Sequence, residues 1–127
     1  RVYRGFALVD WNRDGFLDVL ARDLSGPPVA YLSRCGTGRS LEVSLQQAGR
    51  NASAIGARLW VTTVDGVRRF RDIQAGSSNI SSSSPALAHF GLGSAETVSL
   101  EIRWPDGDVE SFGSVATGQR VLVTREY

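Results

Sequence analysis

The sequence predicts an all-β protein, and three observations lead to that prediction. Apolar and polar residues alternate over short runs, which is the two-residue period of a strand with one buried face. Clusters of glycine, aspartate, proline and serine separate these runs at intervals of roughly eight to twelve residues, a spacing typical of sandwiches and barrels. No segment shows the apolar period of a long helix. We therefore expect a compact antiparallel β-sandwich or barrel.

Three short apolar runs come first, at residues 6–9, 16–20 and 28–32. Each is bounded by glycine, proline or aspartate and is rich in β-branched or aromatic residues, so each is predicted to be a strand. A segment of this size, residues 1–36, is too small to bury a core of its own. We expect it to form a separate unit that neighbouring structure completes.

The turn between the first two runs holds an unusual set of oxygen ligands, Asp10, Asn12, Asp14 and Asp18. The first three alternate, so a tight loop can turn their side chains inward, and Gly15 permits the backbone reversal that follows. Three carboxylates in one loop repel each other unless a cation lies among them. Oxygen ligands in a flexible loop suit Ca²⁺ better than zinc or copper. The alternative is an Asp- and Asn-rich turn whose charges are solvated.

The second predicted domain, residues 39–127, contains six strand-like runs. The clearest hairpin joins two of them through Asp65 and Gly66, a dipeptide that favours a two-residue type I′ turn. Trp104, followed by Pro105, is expected to fill the core where the chain leaves a strand. The runs are residues 41–45, 57–64, 67–73, 97–104, 109–112 and 119–125.

Length and charge exclude several classes of protein. A chain of 127 residues suits one ordinary domain and is short for two, and its net charge of +1 predicts neither nucleic-acid binding nor attraction to a membrane surface. No apolar stretch approaches the length of a membrane span. Because Cys35 is the only cysteine, an internal disulfide is excluded, while a partner in another chain is not.

The first segment resembles the FG-GAP repeat, also called VCBS, of integrin-type β-propellers. The resemblance rests on residues 5–7, on the nine residues from Asp10 to Asp18, and on residues 28–32. An EF-hand does not fit, because Ala21 occupies the twelfth position, where that motif requires a bidentate glutamate. The resemblance implies a partial propeller blade that binds Ca²⁺ through four side chains and one backbone carbonyl: Asp10, Asn12, Asp14, the carbonyl of Phe16, and Asp18.

Three motifs in the second domain resemble the ASPIC/UnbV domain. They are Asn51 with residues 54–57, the His-Phe-Gly run of residues 88–93, and residues 101–107. In that family the domain follows FG-GAP repeats at the C-terminal end of secreted proteins, so the resemblance implies an extracellular or secreted protein, at a cell surface or in a periplasm. The family's usual aromatic-containing loop is replaced here by the serine-rich residues 77–84.

Other polar residues have structural interpretations that outweigh catalytic ones. His89, with no second histidine, is expected to donate a hydrogen bond within the fold. The serines of residues 81–84 lie in no nucleophile motif. The arginines at 68, 69 and 71 are expected to form a solvated strand face rather than a nucleic-acid site. Asn51 and Asn79 begin N-glycosylation sequons, which matter if the protein is eukaryotic and secreted.

The sequence thus predicts a non-enzymatic, calcium-binding extracellular module for adhesion, assembly or protein–protein interaction. A protein partner or self-association is expected, without nucleic-acid binding or membrane insertion. Two alternatives stay open. One is a structural subunit that polymerises through strand edges, and the other is an accessory protein of a biosynthetic pathway, which the UnbV resemblance suggests.

Overall fold

The computed structural model describes residues 1–34, 36–76 and 84–126, and over these residues the protein is all-β, as the sequence predicts. The chain divides into two compact units. The first unit contains the described residues of Arg1–Gly36 and Ala75–Pro85. The second unit contains the described residues of Thr37–Gln74 and Ala86–Tyr127. The described strands are β1 (Tyr3–Val9), β2 (Asp18–Asp23), β3 (Val29–Tyr31), β4 (Arg39–Gln47), β5 (Arg58–Thr63), β6 (Arg68–Asp72), β7 (Leu87–Gly93), β8 (Thr97–Arg103), β9 (Val109–Ala116) and β10 (Gln119–Arg125).

The first unit contains an antiparallel sheet in the order β1-β2-β3. Its strands correspond to the three apolar runs predicted at the start of the chain. The pairing of β1 with β2 ends at Val9 opposite Asp18, so the loop between them spans residues 10–17. The predicted ligand loop therefore joins two antiparallel strands.

The second unit consists of two sheets whose apolar faces share one core. One sheet has the order β10-β4-β7 and the other has the order β6-β5-β8-β9. Alternate residues of the central strands point inward, as the period of a strand requires. Trp104, only 1% exposed, lies in the core as predicted. Other buried members are Leu41, Val43, Leu45, Leu59, Val61, Ala88, Phe90, Leu92, Val98, Leu100 and Ile102.

The expectation of a wholly antiparallel domain is wrong at one pair of strands, because β10 runs parallel to β4. Although β9 and β10 are consecutive, they belong to different sheets, so β10 does not form a hairpin with β9. The connection from β9 to β10 runs through Thr117 and Gly118 and is fixed by hydrogen bonds. Arg39 donates to the Thr117 hydroxyl at 2.7 Å, and the Gly118 amide donates to the Ser40 carbonyl. Alternation of apolar residues indicates which face of a strand is buried, but it does not indicate whether the strand pairs parallel or antiparallel with its neighbour.

The hairpin at Asp65 and Gly66 forms, but its turn is not type I′. A type I′ turn needs positive φ at both central residues, and here only Gly66 has it, at 88°. The Gly66 amide donates to the Thr63 carbonyl at 2.9 Å, and the Thr63 amide donates to the Val67 carbonyl at 3.0 Å. This is a three-residue loop whose glycine forms a bulge. The same pattern recurs at residues 104–108, where Gly107 has φ of 98°.

The strand β7 was not predicted from the sequence. Its residues belong to the His-Phe-Gly motif, and the glycines of the family motifs, Gly56, Gly91 and Gly93, are expected from the sequence at strand ends, where positive φ is useful. Gly93 does end the strand with positive φ, and Gly56 also has positive φ. Gly91 instead lies within β7, where a Cβ would meet no atom within 4 Å. The placement of Gly91 at a strand end is therefore wrong, because two glycines in six residues hide the alternation of Ala88, Phe90 and Leu92.

A buried arginine links β10 to the β8–β9 hairpin. The guanidinium of Arg125 lies 4.4 Å from the ring centroid of Trp104 and donates to both carboxylate oxygens of Asp106, at 3.1 and 3.0 Å. It also donates to the side-chain oxygen of Gln47 at 3.0 Å. A bidentate pair of this kind fixes orientation as well as distance. Arg125 therefore aligns β10 with β4 and with the hairpin tip.

The Arg125–Asp106 pair predicts a dependence of stability on pH. The hydrogen bonds from Arg125 hold the pKa of Asp106 below its ordinary value of 3.8. A carboxyl group with a lowered pKa in the folded state contributes stability above its unfolded pKa and loses it as the pH falls through the folded pKa. The stability difference between wild type and Arg125→Met should therefore shrink as the pH is lowered from 7 to about 3. Urea unfolding across this range measures it, and a constant difference would contradict the assignment.

Candidate metal-binding loop

The loop of residues 10–17 folds around the carboxylate of Asp10, which is 7% exposed. One oxygen of Asp10 accepts the Asp14 amide at 3.0 Å, and the other accepts the Gly15 amide at 2.9 Å. Backbone amides that converge on a carboxylate make charge-assisted bonds, which are stronger than neutral ones. Asp10 therefore organises the turn from its first position.

Asn12 and Asp14 lie beside each other in the same turn. The Asn12 side-chain amide donates to one Asp14 carboxylate oxygen at 2.8 Å, while the other oxygen accepts the Phe16 amide at 2.9 Å. The Asn12 side-chain oxygen accepts the Asp14 amide in a longer contact of 3.3 Å. Gly15 has φ of 91°, which confirms the predicted reversal, and Arg13 also has positive φ, at 62°. A non-glycine residue rarely adopts this conformation, because it costs conformational free energy. The hydrogen bonds to the carboxylates of Asp10 and Asp14 offset that cost and hold the loop in place.

Asp18 differs from the other acids of the loop because its side chain is completely buried. One of its oxygens accepts the Trp11 amide at 2.9 Å, and the other accepts the Ser33 amide at 2.8 Å. The first bond reaches back across the loop, and the second reaches the segment that follows β3. Asp18 thus connects three parts of the first unit. This connection is not predictable from local sequence, since Ser33 lies 15 residues away and only the pairing of β2 with β3 brings it close.

Four predicted ligands, Asp10, Asn12, Asp14 and Phe16, lie in the loop, and Asp18 begins β2 directly after it. The described residues contain no group of three histidine, cysteine, aspartate or glutamate side chains arranged to hold a metal. The donor chemistry itself suits a hard cation, because it comprises carboxylates, an amide oxygen and a carbonyl. Each carboxylate oxygen that accepts one amide keeps a further lone pair. Asp10, Asn12 and Asp14 are joined by direct hydrogen bonds within the turn, whereas Asp18 connects to it through the Trp11 amide. The ligand set stays a prediction.

The three arginines of β6 do not form one surface. Arg68 lies over the Trp60 ring, with its guanidinium carbon 5.1 Å from the ring centroid, and pairs with Glu101 at 3.1 Å. Arg71 lies over the Phe90 ring at 5.4 Å and donates to the His89 carbonyl. Arg69 is opposite Val61, a core residue, and so shares Arg71's face of the strand. The expectation of a single solvated face is wrong, because consecutive residues of a strand point to opposite sides.

The remaining predicted residues have the following positions. His89 is half-buried on β7, directly opposite Glu42 of β4, and its role as a hydrogen-bond donor stays a prediction. The side-chain amide of Asn51 donates to the Ile55 carbonyl, and its oxygen accepts the Ile55 amide, both at 2.9 Å. This residue therefore closes the loop before β5. Cys35, Asn79 and residues 77–83 lie outside the described residues.

Comparison with known proteins gives consistent matches. Residues 47–126 match the protein family described as ASPIC and UnbV. The chain is 31% identical over 118 residues to cartilage acidic protein 1 of Xenopus tropicalis and 30% identical over 118 residues to the protein of the same name from Homo sapiens. Each match covers 91% of this chain and 18% of the relative, so the chain spans less than a fifth of those proteins. In the part of the chain that the structure describes, no helix is long and apolar enough to cross a membrane.

Proposed function

Because the chain belongs to the ASPIC and UnbV family, we propose that it is a non-enzymatic, calcium-stabilised extracellular module for adhesion, assembly or protein–protein interaction. The main support is the donor set of the loop of residues 10–17 with Asp18, which holds three carboxylates and an amide within nine residues. The matching relatives are named for cartilage, an extracellular tissue. The donor set favours a calcium site, and the names of the relatives favour a module that works outside the cell.

The first unit supports a repeat of FG-GAP type. Its antiparallel strands carry the acidic loop between β1 and β2, and their outer residues are unusually apolar. Phe6 is 61% exposed and Leu8 is 44% exposed, on one face of β1. A blade of a propeller needs neighbouring structure to cover such a face. Ca²⁺ would be held by Asp10, Asn12, Asp14, the Phe16 carbonyl and Asp18, and when bound it would neutralise the repulsion among the loop carboxylates.

Polymerisation through strand edges is a weaker alternative for the second unit, because both edges of its larger sheet carry inward-pointing charges. On β6, Arg69 and Arg71 lie opposite the fully buried Val61 and Leu59. On β9, Glu110 lies opposite the fully buried Ile102. Charges that face inward on an edge strand hinder the addition of another strand. At the edges of this sheet, an interaction through side chains is therefore favoured over one through exposed backbone.

The calcium proposal predicts a rise in melting temperature with Ca²⁺ and a much smaller rise with Mg²⁺, which sheds its water reluctantly. Extracellular sites commonly have dissociation constants of about 10⁻⁴ to 10⁻³ M, so a calcium concentration of about 10 mM should stabilise the bound unit by about 1–3 kcal/mol. Differential scanning calorimetry with Ca²⁺, Mg²⁺ and chelator measures the effect. Equal melting with Ca²⁺ and chelator would refute the proposal.

Asp14→Ala provides the matched test within that experiment. Asp14 is exposed, and its hydrogen bonds to other described residues lie within its own turn, so its removal should abolish the calcium response without unfolding the second unit. The control is Glu96→Ala, which removes an exposed carboxylate from the turn between β7 and β8. The control should keep the full calcium response. A wild-type response in Asp14→Ala would show that the loop is not the site.

A further inference from the structure

The outer face of the sheet β6-β5-β8-β9 contains an open cavity of about 300 Å³ that combines aromatic and polar groups. Two neighbouring rows of residues lie here, one across all four strands and the next across β6, β5 and β8. One row places Phe70, Trp60, Glu101 and Ser111 side by side, and the next places Thr62 beside Arg68 and Ser99. We call this surface the aromatic–polar face, and its cavity is lined by Trp60, Thr62, Arg68, Ser99, Glu101 and Ser111.

The aromatic part of this face is a cross-strand pair. Phe70 is 55% exposed and lies directly opposite Trp60, which is half-buried. Directly opposed residues on antiparallel strands lie close enough for their side chains to touch. Trp60 lines the cavity, and Phe70 extends the apolar surface of the same face beyond the cavity. Aromatic rings of this kind supply a large contact area with little loss of conformational freedom on binding.

The polar part of this face has no net charge, because it contains one positive and one negative side chain. The guanidinium of Arg68 donates to a Glu101 carboxylate oxygen at 3.1 Å, and the two side chains are 53% and 41% exposed. Arg68 also lies over the Trp60 ring, which restrains its orientation. The pair thus offers donors and acceptors in fixed directions, while the hydroxyl groups of Thr62, Ser99 and Ser111 can act as either.

A bulge in β9 lies beside the cavity. The register shifts between Val98 and Leu100, because β9 has one more residue than β8 between the flanking pairs. Gly113 lies in this irregular stretch and lines the cavity, and a Cβ placed there would meet no atom within 4 Å. The absence of a side chain at Gly113 therefore leaves part of the cavity open.

We propose that the aromatic–polar face binds a neutral oligosaccharide. A sugar ring has an apolar C–H face, which can pack against the part of Trp60 that lines the cavity, beside the ring face that Arg68 covers, and a rim of hydroxyl groups, each of which can donate and accept. The Arg68–Glu101 pair matches such hydroxyl groups, whereas an anionic ligand would have to compete with Glu101 for Arg68. The backbone groups of β5 and β8 are already paired on both sides, so an extended peptide could not bind there by adding a strand. A cavity of about 300 Å³ is at the small end of ligand sites and suits one or two sugar units.

The test is a titration of the 127-residue protein, in calcium-containing buffer, with three neutral hexasaccharides (cellohexaose, laminarihexaose and mannohexaose) and with a heparin hexasaccharide as the anionic comparison. Two-dimensional NMR resolves the indole N–H signals of Trp11, Trp60 and Trp104. We expect at least one neutral sugar to shift the Trp60 signal saturably, with a dissociation constant of about 1 mM or lower, and to leave Trp11 and Trp104 unchanged. No Trp60 shift with any neutral sugar at about 10 mM, or a shift with heparin alone, would overturn the proposal.

Two variants test the site from different directions. Trp60→Ala removes the ring that lines the cavity and should weaken binding by about tenfold or more. Gly113→Leu fills the cavity without removing any polar group and should also abolish binding, which keeps the test decisive if Trp60→Ala does not fold. The matched control is Gly91→Leu, on β7 of the other sheet, where the new side chain likewise meets open space. Binding that survives Gly113→Leu, or is lost equally in Gly91→Leu, would overturn the proposal.

Discussion

Replacing Trp104 by alanine should lower the free energy of unfolding of the second unit by about 3–5 kcal/mol, the largest single effect that we expect in this protein. Trp104 has the largest fully buried side chain, at 1% exposed, and it packs within the core that both sheets share. Its loss leaves a cavity and also removes the surface on which Arg125 stacks at 4.4 Å. Urea unfolding followed by circular dichroism measures the change.

Trp104→Phe distinguishes packing from polarity. The indole nitrogen of Trp104 is buried and has no hydrogen-bond partner among the described residues. A buried donor without a partner costs about 1–3 kcal/mol, so phenylalanine removes an unfavourable group while keeping most of the apolar volume. We expect Trp104→Phe to cost clearly less than Trp104→Ala. Trp11→Ala is the exposed control, since Trp11 is 65% exposed, and it should change stability by less than about 0.5 kcal/mol. Equal losses in the buried and exposed variants would contradict the core assignment.

Asp18→Ala should destabilise the first unit by about 2–4 kcal/mol even when a chelator removes calcium. The variant leaves the amides of Trp11 and Ser33 without their acceptors, and the Asp18 side chain that satisfies them is fully buried. Hydrogen exchange of the amides in β2 and β3, measured by NMR in chelator, reports the loss. We expect these amides to exchange about 30-fold faster or more, as the estimated free-energy change requires.

Asp14→Ala is the control for Asp18→Ala, because it separates the loss of a predicted calcium ligand from the loss of a buried hydrogen-bond acceptor. Both variants remove one predicted ligand, but Asp14 is exposed whereas Asp18 is buried against two backbone amides from distant parts of the unit. In chelator, exchange in β2 and β3 should accelerate in Asp18→Ala and change little in Asp14→Ala. In calcium, neither variant should show the wild-type stabilisation. Similar exchange rates for the two variants in chelator would show that Asp18 does not connect the loop to the segment that follows β3.

The predicted strands coincide with the observed ones where local patterning is strong. β10, for example, has the bounds predicted from alternation alone, residues 119–125. The turn at Gly66 was located correctly but assigned the wrong type, because Asp-Gly permits a two-residue loop and equally a three-residue loop with a bulge. The strand β7 was missed because glycines interrupt its pattern. Local sequence thus places elements more reliably than it decides among similar backbone geometries.

The candidate site shows the same division. The sequence places Asp10, Asn12, Asp14 and Gly15 in one turn, and nearest-neighbour geometry is enough to bring their polar groups together. Nothing local to Asp18 indicates that its second oxygen accepts the Ser33 amide, since that bond exists only when β3 pairs with β2. The aromatic–polar face also cannot be predicted from local sequence, because strand pairing brings together its residues from four strands.

The sequence by itself determined the all-β class, the positions of most strands and turns, the acidic loop with its hard-oxygen chemistry and the family resemblance, because all of these depend on periodicity, turn residues and short motifs. Only the tertiary structure decided that β10 runs parallel to β4, that Arg125 pairs with Asp106, and that Arg68 and Arg69 point to opposite sides of β6. These features depend on strand order and register. Alternation specifies which face of a strand is buried, whereas the partner of that strand is selected by packing among segments far apart in the chain.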